Sequence, residues 1–158
     1  MLKQYLDLLK ESLENKSQIL SEIEKSSEKQ SKQIATAPFD MEAFDAIVDE
    51  KDVMVSKLNR MDEGFESLYE KISDNLQAEK EQYTEEIRSM QELIRTVTSQ
   101  SMTIQALEKR NKQGIEAVFA RERQKLNVQR SASKAAMHYH DSMNQTHIIT
   151  PQFLDNKK

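Results

Sequence analysis

Apolar side chains recur at spacings of three and four along most of this chain, and that repeat restricts the fold more than any other feature. Leu2, Leu6, Leu9, Leu13, Leu20, Ile23 and Ile34 form a first run. Phe44, Ile47, Met54, Leu58, Met61, Phe65, Leu68 and Ile72 form a second, and Tyr83, Ile87, Met90, Ile94, Val97 and Ile104 a third. Seams of this kind belong to helices that lie side by side and bury one face each. With two glycines and two prolines in 158 residues, turns are few and helices long. A chain built this way, with neither a sheet nor a turn-rich loop cluster, is better suited to holding another protein than to catalysis.

The first run decays after Ile34 at Ala35-Thr-Ala-Pro38, where proline cannot continue a helix. Asp40 follows as an expected N-cap, with Glu42 in the positively polarised first turn and Phe39 and Phe44 placed to staple across the cap. The second break is softer. Ser73-Asp-Asn-Leu-Gln77 holds turn and cap residues without Gly or Pro, and the seam resumes at Tyr83, eleven residues after Ile72. A stutter in one continuous helix would also give that phase shift. A turn is favoured, because an unbroken helix from Met41 past Leu126 would extend about 130 Å and leave the first helix little of it to cover.

The expected fold class is therefore all-α: an elongated antiparallel three-helix bundle or coiled coil with a long third helix and a flexible C-terminal tail. Residues 1–126 form the bundle, with helices at about 2–35, 40–73 and 77–126. Residues 127–158 form an amphipathic segment and tail, mobile or partner-binding. At about 75 Å the third helix would outrun companions of about 50 Å. Gly64 lies inside the second helix, where it would allow a close approach or mark a bend, and Gly114 falls where the chain would leave the bundle. Met54, Met61, Met90 and Met102 are expected in the core.

On the projecting end, Val118, Phe119, Leu126, Ala132, Ala136, Met137, Tyr139 and Met143 continue a helical stripe for which no intramolecular partner is evident. These are the candidate partner-binding residues, with Met137 and Met143 able to adapt to a client helix. Ile148, Ile149 and Phe153 supply an apolar cluster in the tail.

Charge excludes little. Residues 1–100 carry a net −9, residues 105–134 a net +5 and the remainder 0. The basic stretch of Lys109, Arg110, Lys112, Arg121, Arg123, Lys125, Arg130 and Lys134 is interrupted by one aromatic, Phe119, so a surface for stacking nucleic-acid bases is not evident. A solvated helix face is the simpler expectation, and no nucleic-acid partner is expected. The carboxylate runs read likewise, assisted by pairs such as Glu108 with Lys112. His138 and His140, two apart on a helix, point away from each other and would need His147 to hold zinc. No phosphate-binding loop, nucleophile elbow or cysteine metal motif is present, so no catalytic residue, metal or cofactor is expected. The absence of cysteine fits a reducing compartment, and the N-terminus has no continuous apolar run of the signal-peptide kind. Direct membrane insertion is not expected.

Four segments carry a further likeness. Phe44-Asp-Ala-Ile-Val-Asp-Glu-Lys-Asp52, Leu58-Asn-Arg-Met-Asp-Glu-Gly-Phe-Glu-Ser-Leu-Tyr69, Ile104-Gln-Ala-Leu-Glu-Lys-Arg-Asn111 and Thr150-Pro-Gln-Phe-Leu-Asp-Asn-Lys-Lys158 resemble, in order and spacing, the FlgN-type flagellar export chaperones, especially those of Gram-positive bacteria. That resemblance implies a cytoplasmic helical chaperone of the flagellar type III secretion system. It would bind hook-filament junction (hook-associated) proteins, keep their terminal helices from associating early and deliver them to the export gate. It also implies that the C-terminal part carries the client contact, with Tyr139 the counterpart of a gate-docking tyrosine. The alternatives are a structural coiled coil that pairs with its own copy as a homodimer and, further off, a nucleic-acid-binding helical protein.

Overall fold

The computed structural model describes residues 1–123 and 136–138. Three helices account for nearly all of the first stretch: α1 (Leu2–Ala35), α2 (Met41–Ala78) and α3 (Thr84–Glu122). Helix α1 packs along both of the others, whereas α2 and α3 approach each other less closely. Side-chain pairing gives the directions. Lys16 meets Asp62, and further along α1 Ser27 and Gln30 meet Lys51, so α1 and α2 are antiparallel. Ser17 meets Gln100 and Ser31 meets Asn111, so α1 and α3 run the same way. The all-α antiparallel three-helix architecture read from the seam is the one observed.

The first break forms as expected. Asp40 caps α2 by accepting from the Ala43 amide at 3.1 Å, and the Phe39 and Phe44 rings lie 5.6 Å apart across the cap. The second break falls later than the sequence suggested. Residues 73–77 stay helical, and the chain turns at 79–83, held by Gln82 N–H to the Glu79 carbonyl at 3.0 Å and Tyr83 N–H to the Lys80 carbonyl at 3.2 Å. Two causes are visible. Ser73 returns its hydroxyl to the Glu70 carbonyl instead of capping, and Leu76 is buried, so packing of one more seam residue outweighs the local turn preference. The expected mismatch of lengths is absent among the described residues: at 34, 38 and 39 residues the helices extend about 51, 57 and 58 Å.

The core is one cluster contributed by all three helices, from Leu6, Leu9 and Leu13 through Val55, Leu58 and Ile72 to Met90, Ile104, Ile115 and Phe119. Its line along α2 differs from the one expected. Phe44, Ile47, Leu58 and Ile72 are buried as expected, but Val48, Lys51, Val55, Asp62, Tyr69 and Leu76 are buried with them, while Met54, Met61 and Phe65 flank the core half-buried. Of the four methionines expected inside, Met90 is fully buried, and Met102 instead faces outward with 61% of its surface exposed.

Polar residues fill the gaps in the apparent repeat. Lys16 occupies the step between Leu13 and Leu20. Its ammonium sits 2.6 Å from an Asp62 carboxylate oxygen, both side chains almost wholly buried. Lower in the bundle, Lys51 lies at the centre of a cluster that joins all three helices. Its ammonium donates to Glu108 Oε1 at 2.8 Å, to Ser27 Oγ at 3.3 Å and to Gln30 Oε1. Ser27 donates to the same Glu108 oxygen at 2.6 Å, and Asn111 bridges to the Ser27 carbonyl and the Ser31 hydroxyl. Glu108, expected on a solvated face beside Lys112, is one of the most enclosed carboxylates of the bundle.

The close helix approach expected at Gly64 is found at Gly114 instead. A Cβ at Gly64 would meet nothing within 4 Å, whereas one at Gly114 would stand 2.9 Å from Ile34 Cγ2, so Gly114 is where α1 and α3 come close. Gly64→Ala should raise the melting temperature by about 2–4 °C, the equivalent of about 1 kcal/mol of helix propensity in a chain of this size. Gly114→Ala should give no such gain. Thermal melts followed by circular dichroism check both.

Candidate functional site

Two concavities of the described surface bear on function. One is an open trough of about 600 Å³ between α1 and α2, lined by Leu8, Ser12, Asn15, Ile19, Lys57 and Met61 among others. Its lining mixes signs and polarities, with Glu11 and Glu22 beside Lys57. The second lies between α2 and α3, where the two helices stand apart over the Lys51 cluster, and something already sits in it. Residues 136–138 form a helical turn there, with Ala136 packed against the core beside Phe44, Val48 and Ile115. The space remaining is about 20 Å³, room for about one water. From the same turn His138 Nε2 reaches Asp52 Oδ2 at 3.0 Å.

This placement changes the expected client surface. Val118 and Phe119 are 2% and 7% exposed, so they belong to the bundle's own core and are not free to receive a partner. The reason is that α1 extends to Ala35 and covers the far end of α3, as the contact between Ile34 and Gly114 shows. Ala136 is half-buried in the α2–α3 groove, and Met137, one residue on, is 56% exposed. Leu126, Ala132, Tyr139, Met143, Ile148, Ile149 and Phe153 lie outside the described residues, as do His140 and His147. His138 is therefore placed as a partner of Asp52. Among the described residues no group of three or more His, Asp or Glu gathers as a metal would require, and no helix is long and apolar enough to cross a membrane.

Electrostatics beneath the groove are set by burial. Enclosure pushes the Lys51 ammonium down to about 8, against the opposing pull of Glu108 and Asp52. Burial likewise lowers Lys16 and raises Asp62 despite their mutual attraction, so in that pair loss of solvent outweighs charge pairing. On the groove's outer flank, burial and then the neighbouring Asp49 push the Asp45 carboxyl upward. Asp45 and Asp52 are seven residues apart, hence on one face of α2, and each keeps a solvent-shielded Oδ1 with no hydrogen-bond partner among the described residues. Sequence reasoning missed Asp45, Lys51, Asp52 and Glu108. Their only signal was the presence of charges at or beside seam positions.

Removing one member of the central ion pair strands the other. Lys51→Met should destabilise the protein by about 3–5 kcal/mol, and pairing it with Glu108→Leu should recover most of that loss in urea unfolding. The pH dependence has a definite sign. Unfolded lysine keeps its proton to about 10.4, whereas folded Lys51 releases it near 8, so between these values the unfolded chain binds more protons and stability rises with pH. Relative to Lys51→Met, the wild type should gain up to about 1.4 kcal/mol per pH unit in that window.

A family model described as "FlgN protein" matches residues 1–147. Comparison with curated proteins and with solved structures gives no match.

Proposed function

Since the chain belongs to the FlgN family of flagellar export chaperones, we propose that it binds hook-filament junction proteins in the cytoplasm, prevents their terminal helices from associating prematurely and delivers them to the flagellar type III export apparatus. It turns over no substrate and uses no cofactor. The observation that carries this reading is the groove between α2 and α3, a helix-sized seat over the core that holds one helical turn of the chain's C-terminal part. A groove that accepts one amphipathic turn has the shape and chemistry to accept another.

Residues 126–158 supply the remaining contacts once the turn at 136–138 has given way to the client, with Leu126, Ala132, Ala136, Met137, Tyr139 and Met143 on the client-facing stripe, Ile148, Ile149 and Phe153 in the tail, and Tyr139 toward the gate. Burial of about 400 Å² of apolar surface would contribute about 10 kcal/mol gross. Ordering of side chains and lost translational freedom offset most of that, which leaves a reversible complex of the kind a delivery factor needs.

Calorimetric titration with peptides of the terminal helices of junction proteins provides the test. The full chain should bind, and a chain ending at Lys125, which keeps every buried residue of the three helices, should bind at least about tenfold more weakly. Equal affinity of the two would remove the C-terminal part from the site.

A further inference from the structure

The α2–α3 groove carries a chemical signature beyond its shape. Its floor is apolar where Phe44, Val48 and Ile115 meet the methyl group of Ala136, with about 20 Å³ left unfilled, and its α3 side carries Asn111 and Lys112. Its α2 rim is acidic. Asp45 and Asp52 stand two helical turns apart on one face, with Asp49 between them on the exposed side. A shielded carboxylate oxygen without a hydrogen bond is costly, and among the described residues this rim holds two, one on each of Asp45 and Asp52. From the described turn, His138 meets the other oxygen of Asp52.

We propose that this groove is the client seat, that it selects an amphipathic helix with small apolar side chains bordered by Lys or Arg at a spacing of seven, and that the 136–138 turn is an internal competitor which the client displaces. The proposal rests on the chaperone reading. A client lysine or arginine opposite each of Asp45 and Asp52 would satisfy both shielded oxygens, whereas the described turn sets one imidazole against Asp52. The internal occupant is thus good enough to cover the apolar floor and poor enough to leave. His138 is 65% exposed, so its removal weakens the competitor without touching the core.

The chain has no cysteine, which makes the occupant directly testable in the full-length protein. Asp52→Cys with His138→Cys should be joined within one chain by a short bis-maleimide, and Asp74→Cys with His138→Cys should not. Peptides of junction-protein terminal helices should bind His138→Ala about three- to tenfold more tightly than wild type, since less competition must be overcome. They should bind Asp45→Asn/Asp52→Asn/His138→Ala about tenfold more weakly than His138→Ala alone, since the competitor's contact is absent from both. Peptides whose Lys and Arg are replaced by Gln should lose the distinction between that triple variant and His138→Ala. No intrachain link above the control, or a link between two chains, would overturn the internal competitor. Peptide binding that ignores both His138 and the two aspartates would overturn the seat while leaving the chaperone reading intact. Failure of every form to bind any peptide would remove the chaperone reading, and the proposal with it.

Discussion

The contact of Lys51 with Glu108, Ser27 and Gln30 joins all three helices at one level, and the alignment of the bundle follows from it. Apolar seams alone are tolerant of sliding, because a leucine meets another leucine after a slip of seven residues almost as well as before. A buried ammonium is not tolerant. Shifted by one heptad along α1, Lys51 would face Leu20 and Ile23 in place of Ser27 and Gln30 and would lose two of the three oxygens around its ammonium. Lys16 with Asp62 adds a second such restriction closer to the other end. Neither pair is a source of net stability, since burial shifts Lys16, Asp62 and Lys51 toward their neutral forms. Their effect is to penalise alternative registers.

Register in turn shapes the surface. Reaching across from α2 to α3, the Lys51–Glu108 pair lets the two helices stay apart, while α1 lies tight against both. The result is a groove with a covered polar floor at one level and an apolar floor of Phe44, Val48 and Ile115 beside it. Three helices in this arrangement bury two of their three mutual faces well. The third is left for a fourth helical element, and the turn at 136–138 takes that position.

For a protein of the FlgN family this division of labour is physically economical. On the proposed reading, a bundle with a sharply specified register can leave its binding face incompletely satisfied. The shielded oxygens of Asp45 and Asp52, without a hydrogen-bond partner among the described residues, would be the local expression of that state. Binding energy would then come from replacing an adequate occupant with a better one, which would keep the complex reversible.

Sequence alone determined the helical class, the number of helices, the Asp40 cap with its Phe39–Phe44 staple and the family likeness, because these depend on residues near one another in the chain and on a periodicity that survives interruption. It misplaced the line of burial along α2, the end of that helix at Ala78, the exposure of Met102 and the freedom of Val118 and Phe119. The line of burial was misplaced because polar side chains at Lys16, Ser27, Gln30, Lys51, Asp62, Glu108 and Asn111 occupy core positions, and a polar residue in a seam cannot be told from a solvated one until its partner on another helix is known. Val118 and Phe119 are covered because α1 reaches the far end of α3. Burial of Leu76 outweighed the turn chemistry of residues 73–77. Only the tertiary structure brought Ala136 to Phe44 and His138 to Asp52, since packing between residues so distant in the chain is decided by the shape of the groove and not by any local pattern.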